Sequence, residues 1–455
     1  MGTQAIQDLT DRLGTLLRSA GRPGDVVDLT RLSGGASRET WAFDLVDGEE
    51  RRSLILQRQR AGTSGSGPGM QVEAALLRAA ATAGVPVPAV IVDDDGATMG
   101  GPSIVMDRLD GETIARKLLR DDEWATARSR LVGQAGAALA RIHQLPLDEL
   151  PTLREADQLA EMRALLDSFG RPLPAFELAI RQLEQARPAS PGRTVVHGDF
   201  RLGNLMVDAE GLAGVLDWEL AHLGDPVEDL GWYCVRAWRF GSALPAGGTG
   251  TREELLAAYA DAGGGQIDPE ALRWWELLGT LKWGLICVLQ SDAHLHGLSR
   301  SVELAAIGRR VCENEWDVLG LLPGPDLDAD AFEEPDGEDA PDLYGRPTAQ
   351  ELVEAVREWI EGDVREATQG RVQFHGRVAS NALKIIEREL ALARAHVPRH
   401  AAGLASLGCR DDAELSARIR GGDLDDRLVE VRSIVARSVR MKLQVANPRW
   451  LEPDD

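Results

Sequence analysis

Lysine is nearly missing from this chain of 455 residues: it occurs only as Lys117, Lys282, Lys384 and Lys442. Any work that needs a cation in the first hundred residues therefore falls to arginine. Positive charge is short overall, and a net charge of −23 excludes nucleic acid or an anionic membrane as a general partner, since both call for a basic face. The same acidity favours solubility. Cysteine is scarce as well. Cys234, Cys287, Cys312 and Cys409 form no CxxC pair and no zinc spacing, so each reads as a small buried apolar residue. No run of eighteen apolar residues occurs, and Lys282 interrupts the best stretch, LLGTLKWGLICVLQ. The opening MGTQAIQDLTDRLGTLL reads as an amphipathic helix and not as a leader, so a soluble cytoplasmic protein is expected.

What is present is a chain that is 44% hydrophobic and long enough for two or three domains. Its most informative stretch is Val195 to Asp229, VVHGDFRLGNLMVDAEGLAGVLDWELAHLGDPVEDL. His197 precedes Asp199 by two positions, Asn204 follows by five, and Asp217 closes the apolar run GVLD. RTVV, LMV and GVLD read as short strands, and AEGL as the hairpin turn that returns Asp217 beside Asn204. In phosphoryl transfer the protein aligns a hydroxyl and neutralises spread-out charge: one aspartate takes the hydroxyl proton, while an asparagine and a second aspartate hold magnesium. Asp199, Asn204 and Asp217 occur in that order. His197 reads as scaffolding, bonded to the loop or to backbone near Asp217. Gly198 and Gly203 read as the residues that permit the turns.

HGDFRLGN followed by VLDWELAHLGDPVEDLGW resembles the aminoglycoside phosphotransferase and choline kinase superfamily of small-molecule kinases, with HGD where protein kinases carry HRD. GDPVEDLGWYCVRAWRFG and RSVELAAIGRRVCENEWDVLG resemble its branch associated with acyl-CoA dehydrogenases. The resemblance covers about residues 30 to 322. It implies an α+β, bilobal protein-kinase-like fold with a small β-rich N-lobe (about 1–108) and a large helical C-lobe (about 109–323). It also implies ATP and Mg2+ as cofactors.

Placed on that template, the turn in LSGGASRET puts Gly34, Gly35 and Ser37 over the nucleotide phosphates, where Arg38 could reach a phosphate; a plain hairpin is the alternative. SLILQRQR is the strand on which kinases carry their phosphate-binding lysine. Period-two alternation sets Gln57 and Gln59 on one face and Arg58 and Arg60 on the other, and Arg58 is the preferred substitute. Glu73, early in the helix MQVEAALLRAAATAG, is the expected ion-pair partner or else a solvated helix acid. Backbone near Met106, Asp107 and Arg108 would meet the adenine edge, although Met106 could equally be core. His143 reads as structural.

Beyond the catalytic stretch, the resemblance makes Asp229 a stabiliser of the loop or a helix cap. Arg236, Trp238 and Arg239 are substrate candidates by cation and ring contacts, or rim arginines beside buried tryptophans. Residues 324–345 are acidic and proline-rich and read as a linker. Residues 346–455, opening on Thr348 as N-cap, read as an all-α accessory bundle. The expected activity is phosphate transfer to a small-molecule hydroxyl, with a hydroxyacyl-CoA or related acyl compound as acceptor. The alternative is a nucleotide-binding scaffold with little turnover. The helical tail is a candidate dock for an acyl-CoA dehydrogenase or for a second copy.

Overall fold

The computed structural model describes residues 3–32, 38–60, 69–299, 301–327 and 348–452, and it divides into two compact units. The first holds residues 1–157 and 188–276; the second holds 158–187 and 277–455. This division cuts across the boundary read at 323, because residues 158–187 group with the C-terminal helices. The expected Gly34, Gly35 and Ser37 turn lies outside the described residues, as does 328–345 of the expected linker. Among the described residues no helix is long and apolar enough to cross a membrane.

The first unit opens with a helix, Thr3–Ser19, followed by five antiparallel strands: β1 (Asp25–Leu32), β2 (Arg38–Asp47), β3 (Glu50–Gln59), β4 (Val90–Asp94) and β5 (Ser103–Asp107). Their order is β1-β2-β3-β5-β4. Alternation of side chains along a strand gives the sheet two different faces. On one, Trp41, Phe43, Leu45, Leu54, Leu56 and Val105 bury against Leu9, Leu13, Leu16 and Leu17 of the first helix. On the other, Ile55, Ile104 and Met106 pack on Met70 and Ala74 of the helix Met70–Thr82. Glu73 is carried on this second helix and is 2% exposed.

The rest of the first unit surrounds the helix Ala125–His143, which buries Leu131, Ala135, Leu139 and Ile142. Two short strand pairings follow: β6 (Thr194–Val196) with β9 (His222–Gly224), and β7 (Leu205–Asp208) with β8 (Gly211–Val215). The helix Val227–Tyr233 is buried along its whole length. Gly231 on it allows a close approach, since a β-carbon there would stand 2.6 Å from backbone of Trp275.

The second unit is helical. Its helices include Pro174–Gln185, Val311–Leu321, Ala349–Trp359, Gly370–Ser406, Asp412–Gly421 and Leu428–Ala446. Thr348 caps Ala349–Trp359, its side chain accepting from the Glu351 amide in a capping box. Buried charges here are matched: Glu177 bonds Arg163 at 2.7 Å and also Arg420, and Arg432 donates to the carbonyls of Leu319 (2.9 Å) and Pro325 (2.7 Å). Matching is required, because an isolated buried charge costs several kcal/mol.

Candidate active site

The loop between β6 and β7 is fastened from beneath by one carboxylate. Asp229, fully buried at the start of its helix, accepts the amides of His197 (2.7 Å) and Gly198 (2.9 Å). Its Oδ2 also lies 3.1 Å from Nε2 of His143, whose Nδ1 lies 2.9 Å from the Tyr259 hydroxyl. Burial works to raise the pKa of Asp229, but the bond from His143 and the nearby histidines hold it below the usual carboxylate range. Gly198 has a φ of 83°, and a β-carbon there would come within 2.6 Å of Leu220 O, so this position needs glycine twice over. Gly203 lacks the positive φ: it sits in a 3-10 turn, where a β-carbon would stand 2.5 Å from Nη1 of Arg201.

His197 fixes the two sides of the site to each other. Its Nδ1 accepts the Asp199 amide at 3.3 Å and its Nε2 donates to Leu216 O at 3.1 Å, the residue before Asp217. Complete burial lowers the imidazole's basicity, which suits a neutral ring with one donor and one acceptor.

Asp199 is surrounded by donors. Asn204 Nδ2 reaches its Oδ2 at 2.6 Å, Trp232 Nε1 its Oδ1 at 2.9 Å, and Arg201 Nε its two oxygens at 3.0 and 3.2 Å. The Arg201 guanidinium lies over the Trp238 ring, 4.8 Å from its centroid, and Trp238 in turn packs against Trp232 at 5.2 Å. The hairpin register pairs Leu205 with Val215, and the Leu216 amide donates to Asn204 O at 2.9 Å. Asp217 thus stands just past the hairpin, beside Asn204. Its φ of 64° is a left-handed conformation that aspartate tolerates better than most residues but adopts at a cost.

A group of acids surrounds one arginine at the sheet. Arg38 Nη1 lies 2.6 Å from Glu73 Oε2, its Nε 3.4 Å from Glu219 Oε2, and Gln57 accepts from it at 3.5 Å. Burial, countered in part by Arg38 and aggravated by Asp217 and Glu219, pushes the Glu73 carboxyl up to about 7. Burial together with Glu219 and Asp199 pushes Asp217 up to about 6. The physical meaning is a shortage of positive charge at this spot.

Residues 28–275, more than half of the chain, match the family model described as phosphotransferase enzyme family. The chain belongs to the phosphotransferase enzyme family. Residues 366–450 match a second model, a domain of unknown function (DUF6285). A crystal structure from Ralstonia eutropha, named as a candidate aminoglycoside phosphotransferase, aligns with a TM-score of 0.55 at 20% identity over 67% of this chain and 95% of its own, which establishes the kinase-like fold. Among curated proteins, the chain is 29% identical over 245 residues to mouse acyl-CoA dehydrogenase family member 10, covering 48% of this chain and 21% of that protein. It is 28% identical over 224 residues to "Probable acyl-CoA dehydrogenase IBR3" of Arabidopsis thaliana, covering 44% of this chain and 27% of that protein. The chain therefore spans about a fifth to a quarter of these relatives.

Within this phosphotransferase-family site, the remaining expected residues are distributed unevenly. Arg58 is not brought to Glu73. It lies on the face of β3 that carries Leu54 and Leu56, and bonds Glu39 at 2.7 Å and Met99 O at 3.3 Å. The face toward Glu73 carries Ile55 and Gln57, and there the cation comes from Arg38 on the neighbouring strand. At the expected adenine edge, the amides of Asp107 and Arg108 are already bonded to Ala89 O and Ser53 O, both at 3.0 Å, and Met106 is 6% exposed in the core. A few residues on, Glu112 and Val207 of β7 exchange both backbone bonds at 2.8 and 3.0 Å. Arg239 is committed to Cys234 O and to Glu276, a buried acid that also holds Arg252 at 2.7 Å. Trp238 does sit beside Asp199 through Arg201, whereas Arg236 lies in the 3-10 turn that leads to it.

Arg201, Trp232, Glu219 and the Arg38–Glu73 pair carry more of this site than their residue types alone suggest. Trp232 had a readable signal, because it lies three positions after Asp229 on one helix and so faces the same loop. Arg38 reads from the sequence as able to reach a phosphate, but its pairing with Glu73 needs the strand register to be seen.

Proposed function

We propose that the protein is an ATP- and Mg2+-dependent phosphotransferase acting on an alcohol hydroxyl of a small molecule. The observation that carries this reading is the Asp199 carboxylate, held by Asn204, Trp232 and Arg201, with Asp217 delivered beside it by the hairpin. The residues present suit the cation: Asn204 turns its amide nitrogen to Asp199 and so has its oxygen at the other end, and burial together with neighbouring acids raises the pKa values of Asp217 and Glu73. Among the described residues no group of three or more His, Cys, Asp or Glu could hold a metal by itself. That matches magnesium, which usually takes one or two protein carboxylates and completes its shell with phosphate and water. When bound, Mg2+ neutralises charge on the phosphate oxygens.

The chain's own residues do the rest. Asp199 receives the proton of the attacking hydroxyl and aligns its oxygen; Asn204 and Asp217 are the metal ligands. Arg38, braced by Glu73, offers its fork to the nucleotide phosphates. His197 and Asp229 keep the loop in place. The acceptor class we infer is a hydroxyacyl-CoA or a related acyl compound, supported by the acyl-CoA dehydrogenase names of both curated relatives. Residues 346–455 are proposed as an accessory domain that docks an acyl-CoA dehydrogenase or a second copy. A scaffold with little turnover is the reading that the missing lysine favours, and the Arg38–Glu73 pair weighs against it.

The test is ATP turnover on a panel of hydroxyacyl thioesters, with the phosphorylated product identified by mass spectrometry. Asp199→Ala is expected to lower turnover by at least about 10³-fold, on the scale of losing a proton acceptor together with its alignment. Turnover that survives Asp199→Ala removes the assignment.

A further inference from the structure

The second compact unit contains a cavity of 490 Å³. A liquid water claims about 30 Å³, so the space suits a ligand of about fifteen non-hydrogen atoms. Part of its wall is apolar, with Leu173, Val288, Val311, Met441 and Val445, and Arg171, Arg309, Glu389 and His396 also line it. Three polar side chains from three helices converge on it: Ser438 of Leu428–Ala446, His400 of Gly370–Ser406 and Asp412 of Asp412–Gly421. Ser438 Oγ lies 2.9 Å from His400 Nδ1, and His400 Nε2 lies 3.1 Å from Asp412 Oδ2.

Chemistry assigns the protons in this chain. A carboxylate only accepts, so His400 carries its proton on Nε2 and leaves Nδ1 to accept from the serine hydroxyl. Burial works against the Asp412 charge, but the bond from His400 keeps its carboxyl below the usual range. A serine inside a helix ordinarily turns its hydroxyl to the carbonyl one turn back. Here that contact, to Ile434 O, is the longer one at 3.4 Å, and the imidazole has the shorter. One turn further on, Lys442 lines the same cavity; its ammonium has three donors, and Glu315 engages it at 2.9 Å through both carboxylate oxygens.

We propose that this cavity is a second active site, in which Ser438 is a nucleophile toward esters or thioesters of apolar acids. The arrangement meets the geometric requirements of a serine, base and orienting acid, which recur on unrelated folds. Ser438 Oγ bonds to the carbonyl carbon as its proton passes to His400 Nδ1, and the carbonyl oxygen takes the displaced electron pair, facing the Lys442 ammonium. Collapse re-forms the carbonyl and breaks the bond to the alcohol or thiol, which leaves with the proton from His400. A water molecule then gives its proton to His400 and attacks the acyl-serine, releasing the carboxylic acid and restoring the Ser438 hydroxyl. The acyl chain lies on the Val288, Val311, Met441 and Val445 wall. Asp412 is a positioning residue that holds the imidazole tautomer.

No nucleotide enters these steps, so the experiment is run on the full chain without ATP, separately from the phosphotransferase reading. A fluorophosphonate probe is expected to add to Ser438, as mapped by peptide mass spectrometry, and saturating decanoate is expected to slow the labelling at least tenfold. Turnover of p-nitrophenyl octanoate should exceed that of the acetate. Ser438→Ala should reduce it to the solution rate, and His400→Gln should lower it by about 10²-fold or more, the usual size of a lost general base. Asp412→Asn should lower the rate and move the acidic limb of its pH profile to lower pH, a change that mere unfolding would not produce. Melting curves identify any variant that fails to fold, and the labelling and protection of the unsubstituted chain need no variant. Absence of label on Ser438, or octanoate turnover equal in the unsubstituted chain and Ser438→Ala, overturns the proposal.

Discussion

Arg38 and Arg58 lie on adjacent strands and point to opposite faces of one sheet, which makes them a matched pair for experiment. Arg38→Gln should raise KM for ATP and lower kcat, since it removes the only guanidinium within 4 Å of Glu73 among the described residues. Arg38→Lys should recover part of both, as a point charge without the fork. Arg58→Gln breaks an ion pair with Glu39 that is partly exposed and should change steady-state constants little. Equal losses in Arg38→Gln and Arg58→Gln would refute the assignment. The raised pKa values of Asp217 and Glu73 make a second prediction. An acid whose folded pKa exceeds its unfolded value binds protons more tightly in the native state, so stability falls as pH rises through that window. Between about pH 4.5 and 7 these two groups should lower the melting temperature of the ligand-free protein as pH rises. Magnesium with ATP should raise it more at pH 7.5 than at pH 5.5, because protons on Asp217 and Glu73 compete with the cation. A ligand-free melting temperature indifferent to pH over this range would contradict the charge shortage.

At the scale of elements, the hairpin that brings Asp217 beside Asn204 was legible because all its determinants are local: two short apolar runs and a turn between them. The helix carrying Glu73 and the strand β3 were legible for the same reason. The partner of Glu73 was not. Period two correctly separates Gln57 from Arg58, but which set faces the helix depends on how α and β elements stack, and the cation then comes from another strand. Gly231 was likewise silent in the sequence, because its need for smallness comes from a helix more than forty residues away. Gly231→Val should lower stability by about 1–3 kcal/mol or more, as overpacking does, with a fall in urea midpoint and little change in slope.

At the scale of the molecule, composition indicated an acidic chain long enough for more than one domain, and the comparisons assign it to a phosphotransferase family. Chain order misleads about compactness, however. The helix Pro174–Gln185 buries Phe176, Ile180 and Leu183 completely, and Glu177 within it is held by Arg420 from far along the chain. A fragment ending at residue 323 should therefore melt at lower temperature and aggregate, since it strips these side chains of cover and leaves Glu177 with Arg163 alone as a counter-charge. A monodisperse 1–323 fragment with the melting behaviour of the whole chain would show that this grouping does not matter for stability.

The cation beside Glu73 has a consequence in reagent chemistry. A guanidinium keeps its proton at any ordinary pH, so it offers no lone pair for acylation. Nucleotide-shaped acylating probes that mark kinases through a phosphate-site amine would find nothing to modify at Arg38.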